Sequence, residues 1–458
     1  MLLIWMTASS EAWTGFASYA AKYNAFEKIP GGMRKVVMST RWRESPARTE
    51  LVKPVYEPGL PFPICEIEGR LYFNQWCGFA AEAKPGDVSQ LTQLVEHVFE
   101  GLPDEREHFL KFHAYARQHP DQKIMHALML ISRQQGIGKS LIGEVVGYGV
   151  WGERNFSEVE HGHLGASFNE FLKHKKFILA NEMLLSSAAS VDKRRDANLI
   201  KNAITRDRVQ INEKYIKQYF TRDVLCWMLT SNFDDAVWLD REDDRRIHIA
   251  RLKQTLPLAK KYSEDFAAKI KRWAQSPEGA AALNYYFLHY SCEGFAAKSP
   301  PPTTEGQRIV YEMGLSNLER FIRDLIENPD WLFSILGKMQ LLNTDLVRLA
   351  DVRQAFLEKH KDVQTISDQA IASAISRFGG CYISKKVQWT DENKKQQEVR
   401  VWALRNAEYW QSATVQARSE HYRNPVANPA RKNETSQEEA EIDRLAAADA
   451  AGDEDEGG

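Results

Sequence analysis

Apolar residues in this chain gather into short runs separated by longer stretches of mixed polarity. HALMLIS (His126–Ser132), FILA within KKFILANEM (Lys175–Met183), DVLCWMLTSN (Asp223–Asn232) and IHIARL (Ile247–Leu252) each have the length and apolarity of a buried strand. LIGEVVGYGV (Leu141–Val150) follows the first run and opens with helix formers. Strands alternating with helices from Arg106 to about Lys298 predict an α/β core. Between the second and third runs, Val209 and Ile211 alternate with Arg208 and Gln210, and Asn212-Glu213 can begin a turn. That pattern fits a hairpin.

The flanks read differently. Residues 1–105 mix aromatics, prolines and short helical patterns, and are expected to form a helical N-terminal region that serves as a collar. The opening MLLIWM is apolar but short, with no basic segment before it, and is expected to be a buried strand or helix edge rather than a signal peptide. SPPPTT (Ser299–Thr304) breaks the pattern and predicts a linker over 299–316. In 317–410, LVRLADVRQAFLEKHK and ISDQAIASAISRFGG have helical spacing, the second with Ser367 as a possible N-cap and Gly379-Gly380 as a stop. CYISKKVQW and EVRVWALR then flank the polar turn TDENKKQQ. Helix, helix, hairpin is the order of a winged-helix domain, in which Arg377, Lys385, Lys386, Lys394 and Lys395 could meet phosphates, although many such domains only dock proteins. Residues 411–458 form an acidic tail, polar and aromatic-free from about Asn424, where disorder is expected.

Charge sharpens this division. Glu434 to Gly458 carry ten acids and one base, net −9, which leaves +7 for the rest of a chain whose formal charge is −2. A mildly basic body suits a polyanionic partner, and equally an ordinary solvated surface. The five cysteines are scattered, with no C-x-x-C pair, which argues against a zinc ribbon or a disulfide framework. No run approaches the roughly 20 apolar residues of a membrane span. The expectation is a soluble, cytoplasmic protein.

The chemistry begins at ISRQQGIGKS (Ile131–Ser140), which ends as a nucleotide-phosphate loop should. Arg133 stands where the pattern G-x-x-x-x-G-K-[ST] has its first glycine. Gly136 and Gly138 let backbone N–H groups curl around phosphates at a helix N-terminus. Lys139 can reach the β- and γ-phosphates of ATP, and the Ser140 hydroxyl can bind Mg²⁺. Glu182, just past the second strand, is the candidate water-activating base, and Asn181 stands where an Asp usually holds the metal-bound water. Asn232 ends the third strand and is the candidate for sensing the γ-phosphate or orienting water. Arg245 and Arg246 precede the fourth strand. They read either as a surface cluster with Asp243 and Asp244 or as an arginine finger for a neighbouring subunit.

Taken together, GIGKS, a strand ending in an acid, a strand ending in SN, and DRR before another strand resemble the superfamily 3 helicases, in particular the phage and poxvirus-type primase-helicase branch. LIKNAITRDRVQINEKYIKQYFTR (Leu199–Arg222) is similar to that branch's extra motif, and FNQWCGF and HPDQKIMHALML also look like it. The resemblance covers roughly Tyr72 to Thr304, and the C-terminal domain more weakly. It departs at Arg133 and at Asn181, the latter touching the metal-holding role. It implies an AAA+-like ATPase that forms a ring, usually hexameric, with ATP between subunits. A hairpin would then project into the pore to grip single-stranded or forked DNA through Lys214, Tyr215 and Lys217. The bare residues allow these three to be an ordinary solvated turn. No primase module is visible in the sequence, so priming would fall to a separate primase or polymerase. Two other classes stay open: an ATP-regulated DNA-binding initiator or loader that does not separate strands, and a small-molecule phosphotransferase.

Overall fold

The computed structural model describes residues 24–37, 51–160, 169–182, 190–212, 214, 218–327, 345–384, 386–390 and 395–423. MLLIWM, Tyr215, Lys217, Lys385, Lys394 and the tail beyond 423 lie outside them. The chain divides into two compact units, residues 1–314 and 315–458.

The first unit is built on a five-stranded, all-parallel sheet of β6 (Ala127–Ile131), β7 (Phe156–Glu160), β8 (Phe177–Asn181), β11 (Cys226–Ser231) and β12 (Ile247–Arg251). Their spatial order is β12-β6-β11-β8-β7. The four apolar runs of the sequence are four of these strands. They lack polar alternation because both faces are covered. Leu128, Leu130, Leu179 and Met228 point into one core, which helices Ser89–Val98, Pro103–Gln118, Lys139–Val146 and Pro277–His289 complete. Ala127, Met129, Ile178, Leu229 and Ile249 point into the other, against helix Ser190–Thr205 and the hairpin of β9 (Arg208–Ile211) and β10 (Tyr219–Arg222). Period-2 side-chain direction does the sorting: neighbours in one run serve opposite layers.

Within residues 1–105 the described residues carry strands as well as the helix Ser89–Val98. Before residue 89 the described residues carry strands: a hairpin of β1 (Asn24–Ile29) with β2 (Gly32–Val37), and a sheet of β3 (Pro54–Val55), β4 (Ile64–Ile67) and β5 (Arg70–Asn74). Prolines at 54, 58, 61 and 63 exclude a helix interior there. Glu68 and Gly69, at φ 51° and 74°, close β4 onto β5 with the positive-φ pair a two-residue hairpin turn requires. This sheet is continuous with the main core: Trp76 is buried in it, and Tyr56 donates to Asn155 Oδ1 at 2.9 Å.

The segment after SPPP is docked rather than loose. Thr304 Oγ1 donates to Ile249 O at 2.5 Å and Gln307 Nε2 to Asp244 O at 3.0 Å. Helix Glu305–Gly314 lies against β12, where a Cβ on Gly306 would meet Arg251 N at 2.8 Å. The break between units therefore falls at Gly314, beyond this helix, and not at the prolines.

The second unit runs helix Asn317–Glu327, β13 (Leu346–Val347), helix Leu349–Lys359, helix Asp368–Arg377, β14 (Cys381–Tyr382), β15 (Val387–Thr390), β16 (Gln396–Val399) and β17 (Trp402–Ala403). β13, β17 and β14 form one sheet, and β15 with β16 a hairpin. Ser367 caps its helix by accepting from Ala370 N at 3.2 Å, as the sequence indicated. Order continues past residue 410: helix Val415–Arg423 buries Arg418 and His421, and His421 stacks on the fully buried Trp410 at 4.5 Å. The start of the expected disordered tail, 411–423, thus belongs to this unit. Among the described residues no helix is long and apolar enough to cross a membrane.

Candidate nucleotide site

All five strands of the sheet point the same way, so one edge collects their C-terminal ends, where open α/β sheets bind ligands. β6 delivers the chain there into the glycine loop, and helix Lys139–Val146 leaves it. Gly138 has φ 100° and sits 3.0 Å, measured from where a Cβ would be, from both Leu258 and Leu94. Neither the angle nor the space admits a side chain there. Leu258 N donates to Gly136 O at 2.9 Å and ties the loop to the chain that passes over it.

Lys139 is buried and donates to two carbonyls of its own loop, Ser132 O at 3.2 Å and Gln134 O at 3.0 Å. No acid neutralises it among the described residues, and burial pushes its pKa down to about 8. Such an ammonium, held by neutral dipoles, is suited to an incoming polyanion.

A cleft of about 440 Å³, within the usual range for small-molecule sites, opens beside this amine. Gly136, Gly138, Lys139, Ser140, Glu182 and Asn232 all line it. Three segments far apart in sequence thus meet at one point. Leu141, Leu258, Ala259 and Ala267 give its wall an apolar part. Asn181 does not join the lining. Its Oδ1 accepts from Thr230 Oγ1 at 3.1 Å, and Thr230 Oγ1 in turn accepts weakly from Glu182 N at 3.4 Å. Thr230, a residue the sequence did not single out, is therefore the link between the ends of β8 and β11. Glu182 itself has φ 51°.

Arg133 takes no glycine-like role. Its Nε donates to Asp234 Oδ2 at 2.6 Å, and Arg251 Nε donates to Asp234 Oδ1 at 2.8 Å. Asp234 is buried, and the Arg251 bond foremost, with Arg133 adding to it, holds its carboxyl below the usual range. The start of the loop, the turn after Asn232 and the end of β12 are thereby joined. Sequence reasoning missed Asp234 and Arg251; a lone DD after SN and an Arg ending a strand give no signal until the strands are set side by side.

Arg245 and Arg246 lie at the other edge. Ile247 pairs with Ala127 at the start of β6, while Arg251 pairs with Ile131 at the cleft end. Arg245 and Arg246 sit in the turn before β12, and four residue steps of strand, about 13 Å at ~3.3 Å per residue, separate Ile247 from Arg251. Neither arginine is among the residues that line the cleft. The acids beside them are engaged elsewhere: Asp244 with the fully buried Lys201 at 2.8 Å, Asp243 with Arg241 at 3.0 Å. The surface-cluster alternative does not form, and neither arginine makes an ion pair among the described residues.

The hairpin forms as the alternation indicated. Arg208 pairs with Arg222 and Ile211 with Tyr219; Val209 and Ile211 are buried while Arg208 and Gln210 are exposed. Its base is fastened by Asp223, which takes Lys123 Nζ at 2.8 Å and Arg206 Nε at 2.8 Å. Lys214 is exposed at the turn. Tyr215 and Lys217 lie outside the described residues.

A model for a family of unknown function, DUF5906, matches residues 130–246, a span from the end of β6 to the arginine pair. No curated protein matches the sequence. Among solved structures, the apo C-terminal region of NrS-1 (its residues 305–718) superposes with a TM-score of 0.61 at 16% identity, covering 82% of this chain and 93% of that one. The A form of the same region gives 0.58 at 16% identity, with 83% and 94% covered. SCCmec type IV Cch, described as an active helicase, aligns at 13% identity over 72% of this chain and 62% of that one. Its TM-score of 0.28 is too low to define a shared fold. What the NrS-1 likeness establishes is the fold.

Proposed function

We propose that this chain is an ATP-dependent DNA helicase of phage or mobile-element type, working as a ring, the hexamer its sequence resemblance implies, with the nucleotide cleft completed by a neighbouring copy. The observation that carries the reading is the convergence of Lys139, Ser140, Glu182 and Asn232 on one cleft while Arg245 and Arg246 lie at the opposite edge of the sheet. An ATP triphosphate fits a cradle of glycine backbone and an acid-free ammonium. Lys139 would leave its two carbonyls for phosphate oxygens. Glu182 would accept the proton of an attacking water held by Asn232. Mg²⁺, when bound, would neutralise phosphate charge; Ser140 would be its ligand, and Asn181 would support it through Thr230 and not directly from the lining. Arg245 or Arg246 would serve the next copy's cleft. Lys214, with Tyr215 and Lys217, would engage single-stranded or forked DNA, and priming would come from a separate polypeptide.

The second unit, read as a winged helix, fits protein docking better than groove reading. Arg377 is bound to Glu319 at 2.5 Å, and Lys386 to Glu398. Helix Asp368–Arg377 exposes Gln369, Ser373 and Ser376 rather than cations. That surface is compatible with the initiator or loader alternative. The deciding experiment is unwinding of a forked duplex with ATP and Mg²⁺. Strand separation that fails while ATP hydrolysis still rises with single-stranded DNA points to the loader. Hydrolysis indifferent to DNA points to a phosphotransferase and sinks both.

A further inference from the structure

We propose that the outer face of the β9–β10 hairpin is a binding platform for single-stranded nucleic acid, in which Phe220 stacks on a base and Arg208 holds the neighbouring phosphate. This rests on the DNA reading above but assigns it to residues on the strands rather than at the turn.

The hairpin is fixed from below and open above. Val209 and Ile211 sit in the core at 2% and 0% exposure, so the opposite face must look outward. That face carries Arg208, Gln210, Phe220 and Arg222. Phe220 is 56% exposed, opposite Gln210 in the register. The Arg208 guanidinium lies 5.6 Å from the centre of its ring. A guanidinium beside an exposed ring pre-orders both groups without hiding either.

The charges point to the partner. Arg208 stands directly across from Arg222, and like charges directly opposite destabilise a strand pair. Arg222 is relieved: Glu57 Oε2 takes its Nη1 at 3.0 Å, and Asp121 O takes its Nη2 at 2.8 Å. The Arg208 side chain makes no hydrogen bond or ion pair among the described residues. The four outward strand positions carry no acid. One uncompensated cation beside an exposed ring is complementary to a chain that alternates phosphates with flat bases. In a duplex the bases are stacked on each other and offer no free π-face to a strand surface, so a single strand is the ligand.

The test uses the full chain and a fluorescein-labelled oligothymidylate, with affinity followed over a salt series. Phe220→Ala is expected to weaken binding about tenfold, the loss of one stacked base, and Phe220→Trp to restore it. Arg208→Ala should lower the magnitude of the log–log salt slope by about 0.7, one phosphate contact on a single strand. Neither substitution should change ATP hydrolysis measured without DNA, which also shows that the variants fold. A parent chain that binds and a Phe220→Ala variant that binds equally well would overturn the platform while leaving the DNA reading standing. A parent chain that does not bind even at low salt would overturn both. Loss of binding accompanied by a smaller oligomer in light scattering would assign the face to contact between copies and overturn the proposal.

Discussion

Cations at the candidate ligand sites of the first unit contrast with several cations of the second. In the first unit Lys139 is buried against carbonyls, and Arg208, Arg245 and Arg246 make no ion pair among the described residues. In the second, Arg377 is consumed by Glu319, Lys386 by Glu398, and Arg405 by Asp345 at 3.0 Å. Asp345 shows how thorough this is. Its burial alone would raise its pKa, yet bonds from Asn406, Trp410 and Arg405 hold the carboxyl low. A cation matched by an acid is part of the fold. One left unmatched at an exposed or ligand-lined place is available to a polyanion. Counting Lys and Arg in the sequence cannot separate the two.

The sharpest way to break the comparison is at Lys139. Lys139→Ala should reduce ATP hydrolysis by about a hundredfold or more, as expected for removing a group aimed at developing phosphate charge. Turnover near the parent rate would show that the acid-free ammonium is not a phosphate ligand. Glu182→Gln should lower turnover by about 10²–10⁴ while nucleotide binding, followed by equilibrium dialysis, is kept. Unchanged turnover would remove Glu182 from the chemistry.

The opposite-edge arginines call for a mixing experiment. The Arg245→Ala/Arg246→Ala double variant should be inactive alone. Mixed with Lys139→Ala it should recover partial hydrolysis, because some shared clefts then hold an intact lysine and an intact arginine. No recovery at any ratio would place the pair outside the reaction.

The second unit gives a contrasting prediction. Arg377→Ala leaves Glu319 uncompensated among residues that are mostly buried, and should cost about 3 kcal/mol in chemical denaturation. Affinity for DNA should not change under conditions where the unit stays folded. A variant as stable as the parent but weaker on DNA would make Arg377 a phosphate contact after all.

The smallest effect is a proton. Lys139 has a pKa near 8 through burial, below its ordinary value, so at pH 8 about half the chains carry a neutral amine. A bound triphosphate favours the charged form and raises that pKa. Nucleotide binding should therefore take up about half a proton at pH 8, and almost none at pH 6.5, where the amine is already charged. Calorimetry in buffers of different ionisation heat reads this directly. Binding heats independent of buffer at pH 8 would contradict it.

Much of the first unit is legible in the order of residues along the chain. The four apolar runs of strand length are four parallel strands, because residues buried on both faces leave a continuous apolar signature. The polar residues at their ends put Lys139, Ser140, Glu182 and Asn232 at one cleft, because parallel strands share one C-terminal edge. The N-terminal strands are less legible. Their runs are short and proline-broken, and β3 pairs with β5 in parallel across an intervening hairpin, a pairing that local pattern does not reveal.

What the sequence determined by itself was local: which segments are strands, where a chain must turn at glycine, and which side chains follow each strand. The tertiary structure alone decided the pairings. It put Asp234 between Arg133 and Arg251, took Asn181 behind Thr230, sent Arg245 and Arg246 to the far edge of the sheet, and neutralised Arg377 while leaving Arg208 exposed. The physical reason is that backbone propensity and burial act through near neighbours in the chain. Charge neutralisation depends on distance in space, and that is set only once the strands have chosen their order.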